Sequence, residues 1–484
     1  MTDATVRTAH AFDDELARLD ATATAEAVRA GDLSPAESIA AAIARAERLE
    51  PELRAIATPD FDRARAAAAA GDASGPFAGV PTFVKDMTDV AGLPTRNGSG
   101  AFAHAAPATK TFAIAQQLLD MGTVCLGKSS LPEFGFTPST EFPDGTATHN
   151  PWNLGRSVGG SSGGAAALVA SGVVPIAHGQ DGGGSIRIPA ACAGLVGLKA
   201  SRGRLVTDPH DKLMPVQIVV DGVVTRSVRD TAAYFAEAEA RFRNPKLPAI
   251  GHVRAPLARS LRIGAVIDSP IGVAIDPATQ ATFDATVALL EELGHHVEPM
   301  DPPVGADFAE DFIHYWSSLA WAVTVAGRAL FDRSFDKHGL ADITWGLGRR
   351  FRSRWRSTVG AMARLRRSAV AQASVFDGID AFLSPTIAHL PPPLGHLGTD
   401  LPFDVLFPRV EHWVGFTPLA NATGAPAISL PLGHDAGTNL PVGMMFSAAT
   451  GRERLLLELA LALEEARPFA SLADLPAAPP ATQP

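Results

Sequence analysis

Residues 150–204 read NPWNLGRSVGGSSGGAAALVASGVVPIAHGQDGGGSIRIPAACAGLVGLKASRGR, with two glycine–serine clusters, GGSSGG at 159–164 and DGGGSIR at 181–187. Each cluster contains a serine that follows directly on glycine, Ser161 in the first and Ser185 in the second. Clustered glycines let backbone N–H groups approach a ligand closely. A serine inside such a cluster can be reached by substrate and has amide donors around it. Acyl-transfer chemistry needs this pairing of a hydroxyl nucleophile with preformed oxyanion donors.

The composition is typical of a globular protein, with 484 residues of which 46% are hydrophobic and 19% are charged. The formal net charge of −10 argues against nucleic-acid binding. The two cysteines, Cys125 and Cys192, give no indication of a disulfide framework or a cysteine-rich metal site. The first residues lack the pattern of a signal peptide, and no apolar run is long enough to cross a bilayer. We therefore expect a cytoplasmic protein without membrane or nucleic-acid partners.

Strand and helix patterns alternate along much of the chain, which favours an α/β fold. Residues 1–70 are predicted to be helical, because Ser34-Pro35-Ala36-Glu37 forms a capping box before an apolar stripe at helical spacing. Pro51 is expected to end that helix. A short strand near 218–224 is expected to be interrupted by an Asp-Gly turn.

Two lysines lie in patterns that need interpretation. Lys85 ends a strand-like apolar run and is followed by Asp86, which by itself indicates a solvent-exposed ion pair, since lysine is rarely buried. Residues 122–129 match the phosphate-loop pattern G-x-x-x-x-G-K-S/T. The loop positions are Thr-Val-Cys-Leu, which are strand formers, and Leu131-Pro132 follows where a helix would be required. We therefore do not expect a nucleotide site.

Residues 307–370 differ from the rest of the chain in being rich in aromatic residues and in containing an arginine run at 349–356. One interpretation is amphipathic helices with a solvated basic face. The other is a variable helical insertion that forms an aromatic substrate funnel. Around it we predict an N-terminal helical segment, 1–70, packed on the core, a single domain, 71–470, and a flexible tail, 471–484.

The glycine–serine clusters allow three interpretations. Residues 159–163 fit the nucleophile elbow G-x-S-x-G of a histidine-dependent α/β-hydrolase esterase, which needs an acid and a histidine further along the chain. Four later histidines are available, none in a recognisable acid–histidine context: His389, His396, His412 and His434. The clusters could instead be structural turns with solvated serines. The third interpretation is a serine hydrolase whose base is a lysine.

Segments outside the clusters resemble the amidase signature family, over residues 25 to 465. GVPTFVKDM (79–87) resembles the family strand that ends in the catalytic lysine, and LGKSSLPEF (126–134) resembles its GKTN-P-E-F segment. GRSVGGSSGG and GQDGGGSIRIPAACAGLVGLKASRGR resemble the signature itself, and FTPLANATGAPAISLPLG (416–433) resembles the C-terminal core. The resemblance implies an α/β/α sandwich with a large twisted mixed β-sheet covered by helices.

Carried over by position, the resemblance implies a Ser–cis-Ser–Lys triad. Ser185 would be the nucleophile, Ser161 the bridging proton carrier after a cis peptide from Gly160, and Lys85 the base. The remaining implied residues form two groups: N–H donors of the oxyanion hole, Gly182, Gly183, Gly184 and Ser185, and supports of the loop, Asp181, Arg187 and Ser162. The resemblance implies no metal and no cofactor, with water as the second substrate. The sequence neither favours nor excludes a homodimer.

A lysine base has a physical requirement that contradicts an exposed ion pair. With its ordinary pKa of ~10.4 a lysine is protonated at neutral pH, and burial lowers that pKa. The resemblance therefore requires Lys85 to be buried and neutral. The chain departs from the family at Gly182, where Thr or Ile is common, and at 127–130, where GKSS replaces GKTN. We expect the triple glycine to loosen the loop and enlarge the pocket.

The amino-acid sequence of several segments is similar to that of the family branch that contains 6-aminohexanoate cyclic-dimer hydrolases and urethane-cleaving amidases. This favours a small or oligomeric non-peptide amide or carbamate as substrate. The pocket wall is expected to come from 95–99, 130–145 and 307–410. An alternative function of a different class is that of the glutaminase subunit of a tRNA-dependent amidotransferase. A non-catalytic scaffold is disfavoured by the intact lysine and serines.

Overall fold

The fold is mixed α/β. The computed structural model describes residues 6–71, 74–207, 211–331 and 333–475. Its strands are β1 Ile56–Pro59, β2 Pro81–Lys85, β3 Val124–Ser129, β4 His149–Asn150, β5 Asn153–Ser157, β6 Ile176–Asp181, β7 Val196–Lys199, β8 Val220–Thr225, β9 Arg262–Ala265, β10 His296–Pro299, β11 Ala381–Pro385, β12 Ala427–Asp435 and β13 Leu440–Ala448. Its α-helices are α1 Glu15–Arg18, α2 Ala21–Ala30, α3 Pro35–Leu53, α4 Phe61–Ala70, α5 Ala113–Leu119, α6 Gly163–Ala170, α7 Arg187–Ala193, α8 Val228–Arg241, α9 Pro277–Glu292, α10 Ala306–Leu330, α11 Asp342–Ser353, α12 Thr358–Val375, α13 Phe403–Trp413, α14 Pro418–Thr423 and α15 Glu453–Ala466.

The main sheet has eight strands in the order β10-β9-β11-β13-β12-β7-β8-β6. Strands β10, β9 and β11 are parallel, and the remaining neighbours are antiparallel. Successive side chains of a strand point to opposite faces. Accordingly, Val223 of β8 packs into the apolar core with α8, α9 and α15, whereas Val224 packs into a second core with α6 and α7. Helices therefore cover both faces, which confirms the predicted α/β/α sandwich.

A smaller sheet, in the order β1-β3-β2, places the end of β2 beside the end of β6. Strand β2, with the sequence PTFVK, is buried along its whole length. The hydroxyl of Thr82 in β2 donates to the carbonyl of Ile176 in β6 at 3.0 Å. This contact joins the two sheets, and it brings Lys85 to the same end of the fold as Asp181.

Three local predictions are wrong. Residues 56–59, inside the segment predicted to be helical, form strand β1, which pairs with β3. Helix α3 begins at the predicted Ser34 capping box but continues through Pro51 to Leu53, and Arg54 ends it with a left-handed φ of 50°. A proline so close to the end removes one backbone donor without ending the helix. Strand β8 runs without a turn through Asp221-Gly222. The antiparallel neighbours β6 and β7 keep that backbone extended on both sides.

The aromatic region is helical, as predicted, and forms α10, α11 and α12. Helix α10 packs on α11 and α12, and α10 and α12 also pack on α14. Of the predicted tail, residues 476–484 lie outside the described residues, as do residues 1–5 of the predicted N-terminal segment. The part of the tail that is described includes Leu472, which is buried. No helix in the described part of the chain is long and apolar enough to cross a membrane.

Candidate active site

Lys85 lies at the centre of the site and is buried, with 1% of its surface exposed. Its Nζ lies 2.8 Å from Ser161 Oγ, 3.0 Å from Ser162 Oγ and 3.3 Å from the carbonyl oxygen of Gln180. The exposed pair with Asp86 that the local pattern predicts is wrong. Asp86 instead forms a buried ion pair at 3.1 Å with Lys128, the lysine of the apparent phosphate loop. That segment is strand β3, so its lysine is a structural partner of Asp86.

Burial lowers the pKa of Lys85 to about 7, because an ammonium loses its hydration there. Three carboxylates oppose this effect by favouring the charged form: Asp181, Asp221 and Asp211. Among the described residues none of them forms an ion pair with Lys85, because Asp181 is paired with Arg187 and Asp221 contacts His178. The neutral amine is therefore accessible near neutral pH, in contact with a hydroxyl that it can deprotonate.

His178 and Asp221 hold the backbone of Lys85 in place through a chain of hydrogen bonds. The backbone N–H of Lys85 donates to His178 Nδ1 at 3.4 Å. Because Nδ1 accepts this bond, the ring proton resides on Nε2, which faces Asp221 Oδ1 at 3.1 Å. Asp221 also accepts from Gln180 Nε2 at 3.3 Å. This chain of contacts fixes the end of β2 against β6 and β8.

Ser161 lies immediately before α6, and the Gly160–Ser161 peptide is cis, as the resemblance implies. Ser161 is buried between Lys85 and Gly135, and a β-carbon added at Gly135 would lie 2.8 Å from Ser161 Oγ. Its neighbour Ser162 is tied into the second cluster, because its N–H donates to the Ser185 carbonyl at 3.1 Å. The two glycine–serine clusters therefore meet directly.

The loop that carries Ser185 is organised by a buried ion pair between Asp181 and Arg187. Arg187 Nε and Nη2 each donate to one Asp181 carboxylate oxygen at 3.0 Å. Burial opposes ionisation of Asp181, but the Arg187 charge holds the pKa of the carboxyl well below its usual range. Asn421 from α14 donates to both the backbone and the side chain of Asp181, at 2.8 and 2.9 Å. Thr417 holds the opposite side by donating to the Gly183 carbonyl at 2.6 Å.

The backbone N–H groups of this loop are not equivalent. The Gly184 N–H donates to Asp181 Oδ1 at 2.7 Å, so it is already engaged in holding the loop. The described residues supply no backbone or side-chain acceptor for the N–H groups of Gly182, Gly183 and Ser185. Three of the four predicted oxyanion donors are thus available, and the fourth, Gly184, has a structural partner.

Ser185 opens into a cavity of about 490 Å³ whose wall is mostly apolar and aromatic. Lys85 and Ser161 do not line this cavity, so of the three side chains only Ser185 faces it. Most of the wall comes from α10, α11 and α13, together with Gly135 to Pro138. The predicted segments 130–145 and 307–410 therefore contribute to the wall.

The predicted segment 95–99 does not line the cavity. Its N–H groups at Arg96 and Asn97 donate to Asp86 instead, which holds the segment behind Lys85. Lining residues outside the predicted segments come from 266–273, 302–306 and 411–419. They lie in the loops after β9 and β10, at the end of α13 and at the start of α14, which the sequence pattern does not associate with the serines.

The predicted enlargement of the pocket at Gly182 is also wrong. A β-carbon at that position would lie 3.2 Å from Val219 and 3.4 Å from the indole of Trp316. The space that a larger residue would occupy is taken by this indole, which lines the cavity from α10.

The histidine-dependent interpretation of the serines finds little support in the described residues. No histidine there forms a hydrogen bond with Ser161 or Ser185, and His389 and His412 stack on each other, with ring centroids 5.6 Å apart. The described part of the chain also contains no group of three or more His, Cys, Asp or Glu side chains arranged to hold a metal. Sequence reasoning missed His178, Asp221, Asn421 and Thr417. His178 directly precedes the second glycine–serine segment, and Thr417 and Asn421 lie in the segment 416–433 quoted above, but no local pattern shows that these side chains contact Lys85 or the Ser185 loop. Asp221 lies where the sequence predicts a turn.

A buried lysine–serine pair lies behind a serine that lines the cavity, on a mixed α/β sandwich. These are the residues that a serine hydrolase with a lysine base requires. The amidase family profile matches residues 37–457, and the chain belongs to the amidase signature family of carbon–nitrogen hydrolases. It is 49% identical over 467 residues to a protein named AmiC of Mycobacterium tuberculosis, covering 96% of this chain and 98% of the relative. It is 35% identical to a 6-aminohexanoate-cyclic-dimer hydrolase of a Pseudomonas species, covering 93% and 95%. A solved 6-aminohexanoate cyclic dimer hydrolase bound to substrate superposes with a TM-score of 0.85 at 32% identity, covering 94% and 98%.

Proposed function

We propose that this amidase cleaves the C–N bond of small or oligomeric non-peptide amides or carbamates through an acyl-enzyme on Ser185. The observation that carries the proposal is the contact of the buried Lys85 amine with Ser161 Oγ, at 2.8 Å, behind a loop whose serine faces an apolar cavity. A neutral amine in contact with a hydroxyl can act as a general base. The relatives described as hydrolases of a 6-aminohexanoate cyclic dimer support an oligomeric non-peptide amide.

In the first step Ser185 Oγ attacks the carbonyl carbon of the substrate. Its proton passes to Ser161, which passes its own proton to Lys85. The negative charge that forms on the carbonyl oxygen is stabilised by the free N–H groups of Gly182, Gly183 and Ser185, each worth ~2.7–4 kcal/mol in such a site. The Lys85 ammonium then returns a proton through Ser161 to the nitrogen, and the C–N bond breaks to release the amine.

In the second step a water molecule attacks the acyl group on Ser185, and the same relay carries its proton. The products are a carboxylic acid and the regenerated serine. With a carbamate, loss of the amine leaves a carbonate ester on Ser185, and water releases it as an alcohol and carbon dioxide. The same residues therefore serve amides and carbamates.

Turnover of four substrate classes by the purified chain tests this function: aryl amides, ω-amino-acid oligomers, carbamates and glutamine. We expect cleavage of the first three classes without ATP or partner proteins, and labelling of Ser185 by a fluorophosphonate. Ser185→Ala is the control and should abolish both. Cleavage of glutamine alone would instead favour the amidotransferase glutaminase. Labelling that persists in Ser185→Ala would show that another residue is the nucleophile.

A further inference from the structure

The indole of Trp316 lies against the glycine loop that precedes Ser185. Its Cζ3 atom is 3.4 Å from the position that a Gly182 β-carbon would occupy, and the same position is 3.2 Å from Val219 Cγ2. Phe312, one helical turn earlier on α10, approaches Gly183 in the same way, at 3.5 Å. The two rings are stacked, with centroids 6.1 Å apart and planes inclined by 19°. Both rings line the cavity beside Gly182 and Gly183, and we call the pair the aromatic wall.

The orientation of this wall is fixed by its neighbours. Tyr315 accepts from the N–H of Val216 at 3.1 Å and donates to its carbonyl at 2.6 Å, which anchors α10 beside the glycine loop. Trp316 Nε1 donates to the Phe136 carbonyl at 3.4 Å, and the Phe136 ring meets the indole edge-on at 5.7 Å. The indole is therefore held in one position, and it lines the cavity together with Phe136.

We propose that Gly182 and Trp316 form a single specificity element that selects substrates with a planar apolar group, such as an aryl ring, next to the scissile bond. The inference rests on the proposed function, because the scissile carbonyl must lie beside the Gly182 and Gly183 N–H groups. Trp316 then flanks the groups attached to that carbonyl. A planar ring can stack on the indole, whereas a puckered ring of equal size touches it at fewer points.

The glycine is required by this arrangement. A threonine at 182 would place γ atoms beyond a β-carbon that already has neighbours at 3.2 and 3.4 Å. Either Trp316 or Val219 would have to move, and Trp316 has the open cavity on its other side. A larger residue at 182 and an indole at 316 are therefore alternative occupants of the same space.

Matched substrate pairs that differ in planarity test the proposal. Benzoyl and cyclohexanecarbonyl amides vary the acyl side, and benzylamides and cyclohexylmethylamides vary the amine side. We expect Trp316→Leu to reduce the planar-to-puckered ratio of kcat/KM by roughly 3- to 10-fold in at least one pair. Trp316→Phe, which keeps a planar ring, should retain most of the ratio. The matched control is Trp321→Leu on the same helix. Trp321 packs against Phe351 and does not line the cavity, so this change should leave the ratio unaltered.

A double-mutant cycle tests the link to Gly182. Gly182→Thr should lower the same ratio, and adding Trp316→Leu to it should lower the ratio no further and raise kcat/KM above that of Gly182→Thr alone. Independent, multiplying effects would overturn the proposal, as would an unchanged ratio in Trp316→Leu. Melting temperatures establish that each variant is folded.

Ligand binding separates this proposal from the proposed function. Ser185→Ala should bind benzamide roughly 3- to 10-fold more tightly than cyclohexanecarboxamide, and the added Trp316→Leu change should remove that preference. Equal affinities for the two amides would overturn the inference even if the wild-type chain is an active amidase. A preference for benzamide in a chain that hydrolyses no amide would refute the proposed function and leave the aromatic wall intact.

Discussion

Lys85 should give the pH–rate profile an acid limb near pH 7. Its pKa falls from 10.5 to about 7, which corresponds to ~5 kcal/mol in favour of the neutral amine. As a base the lysine must be neutral, so activity is present above its folded pKa and is lost as the pH falls through it. Below that value kcat/KM should fall about tenfold for each pH unit, since the neutral fraction does.

The measurement is kcat/KM for an aryl amide without ionisable groups, at constant ionic strength from about pH 5 to pH 9. This parameter reports ionisations of the free enzyme, whose lysine is the group in question. Lys85→Ala should lose ~100- to 10,000-fold in kcat/KM and should also lose the limb near pH 7. A limb at pH 4–5 would assign the titration to a carboxylate and refute the reasoning. So would a limb near pH 7 that persists in Lys85→Ala.

Three further changes probe the surroundings of that lysine. Asp221→Asn removes a buried negative charge that favours the Lys85 ammonium, so the acid limb of the kcat/KM profile should move to lower pH. An unmoved limb would show that the Asp221 carboxylate does not influence the pKa of Lys85. Ser161→Ala should reduce kcat/KM by ~100- to 10,000-fold because it interrupts the proton path. Ser162→Ala keeps that path and should lower kcat/KM clearly less. Equal losses of kcat/KM in the two variants would contradict a relay through one serine. Lys128→Met leaves the Asp86 carboxylate buried without its cation and should cost ~3–5 kcal/mol of unfolding free energy in urea titration, and a loss under ~1 kcal/mol would contradict a structural role.

Elements whose pattern is local were predictable from the sequence. The capping box at Ser34 starts a helix, because its signal comes from neighbours in the chain. The continuity of β8 through Asp221-Gly222 was not predictable. It is imposed by β6 and β7, whose pairing with β8 no local pattern reveals.

The site divides in the same way. The glycine clusters point to Ser161 and Ser185 because a reactive serine needs amide donors around it. The local context of Lys85 predicts exposure, since burial is decided by β6 and the first serine cluster, about 80 to 100 residues further along the chain. The departure at Gly182 is visible in the sequence. What fills the space, the indole of Trp316, depends on how α10 docks.

A lowered pKa alone does not identify the base in this fold. Burial lowers the pKa of Lys199 to about 7 as well, but its Nζ donates to the Ala200 carbonyl at 2.8 Å, and a carbonyl cannot carry a proton onward. Arg187 is equally buried but is paired with Asp181, so its charge is fixed and holds the nucleophile loop. Lys85 combines the absence of a carboxylate partner among the described residues with a serine hydroxyl at 2.8 Å. The partner atom therefore decides which buried cation is structural and which can exchange protons with substrate.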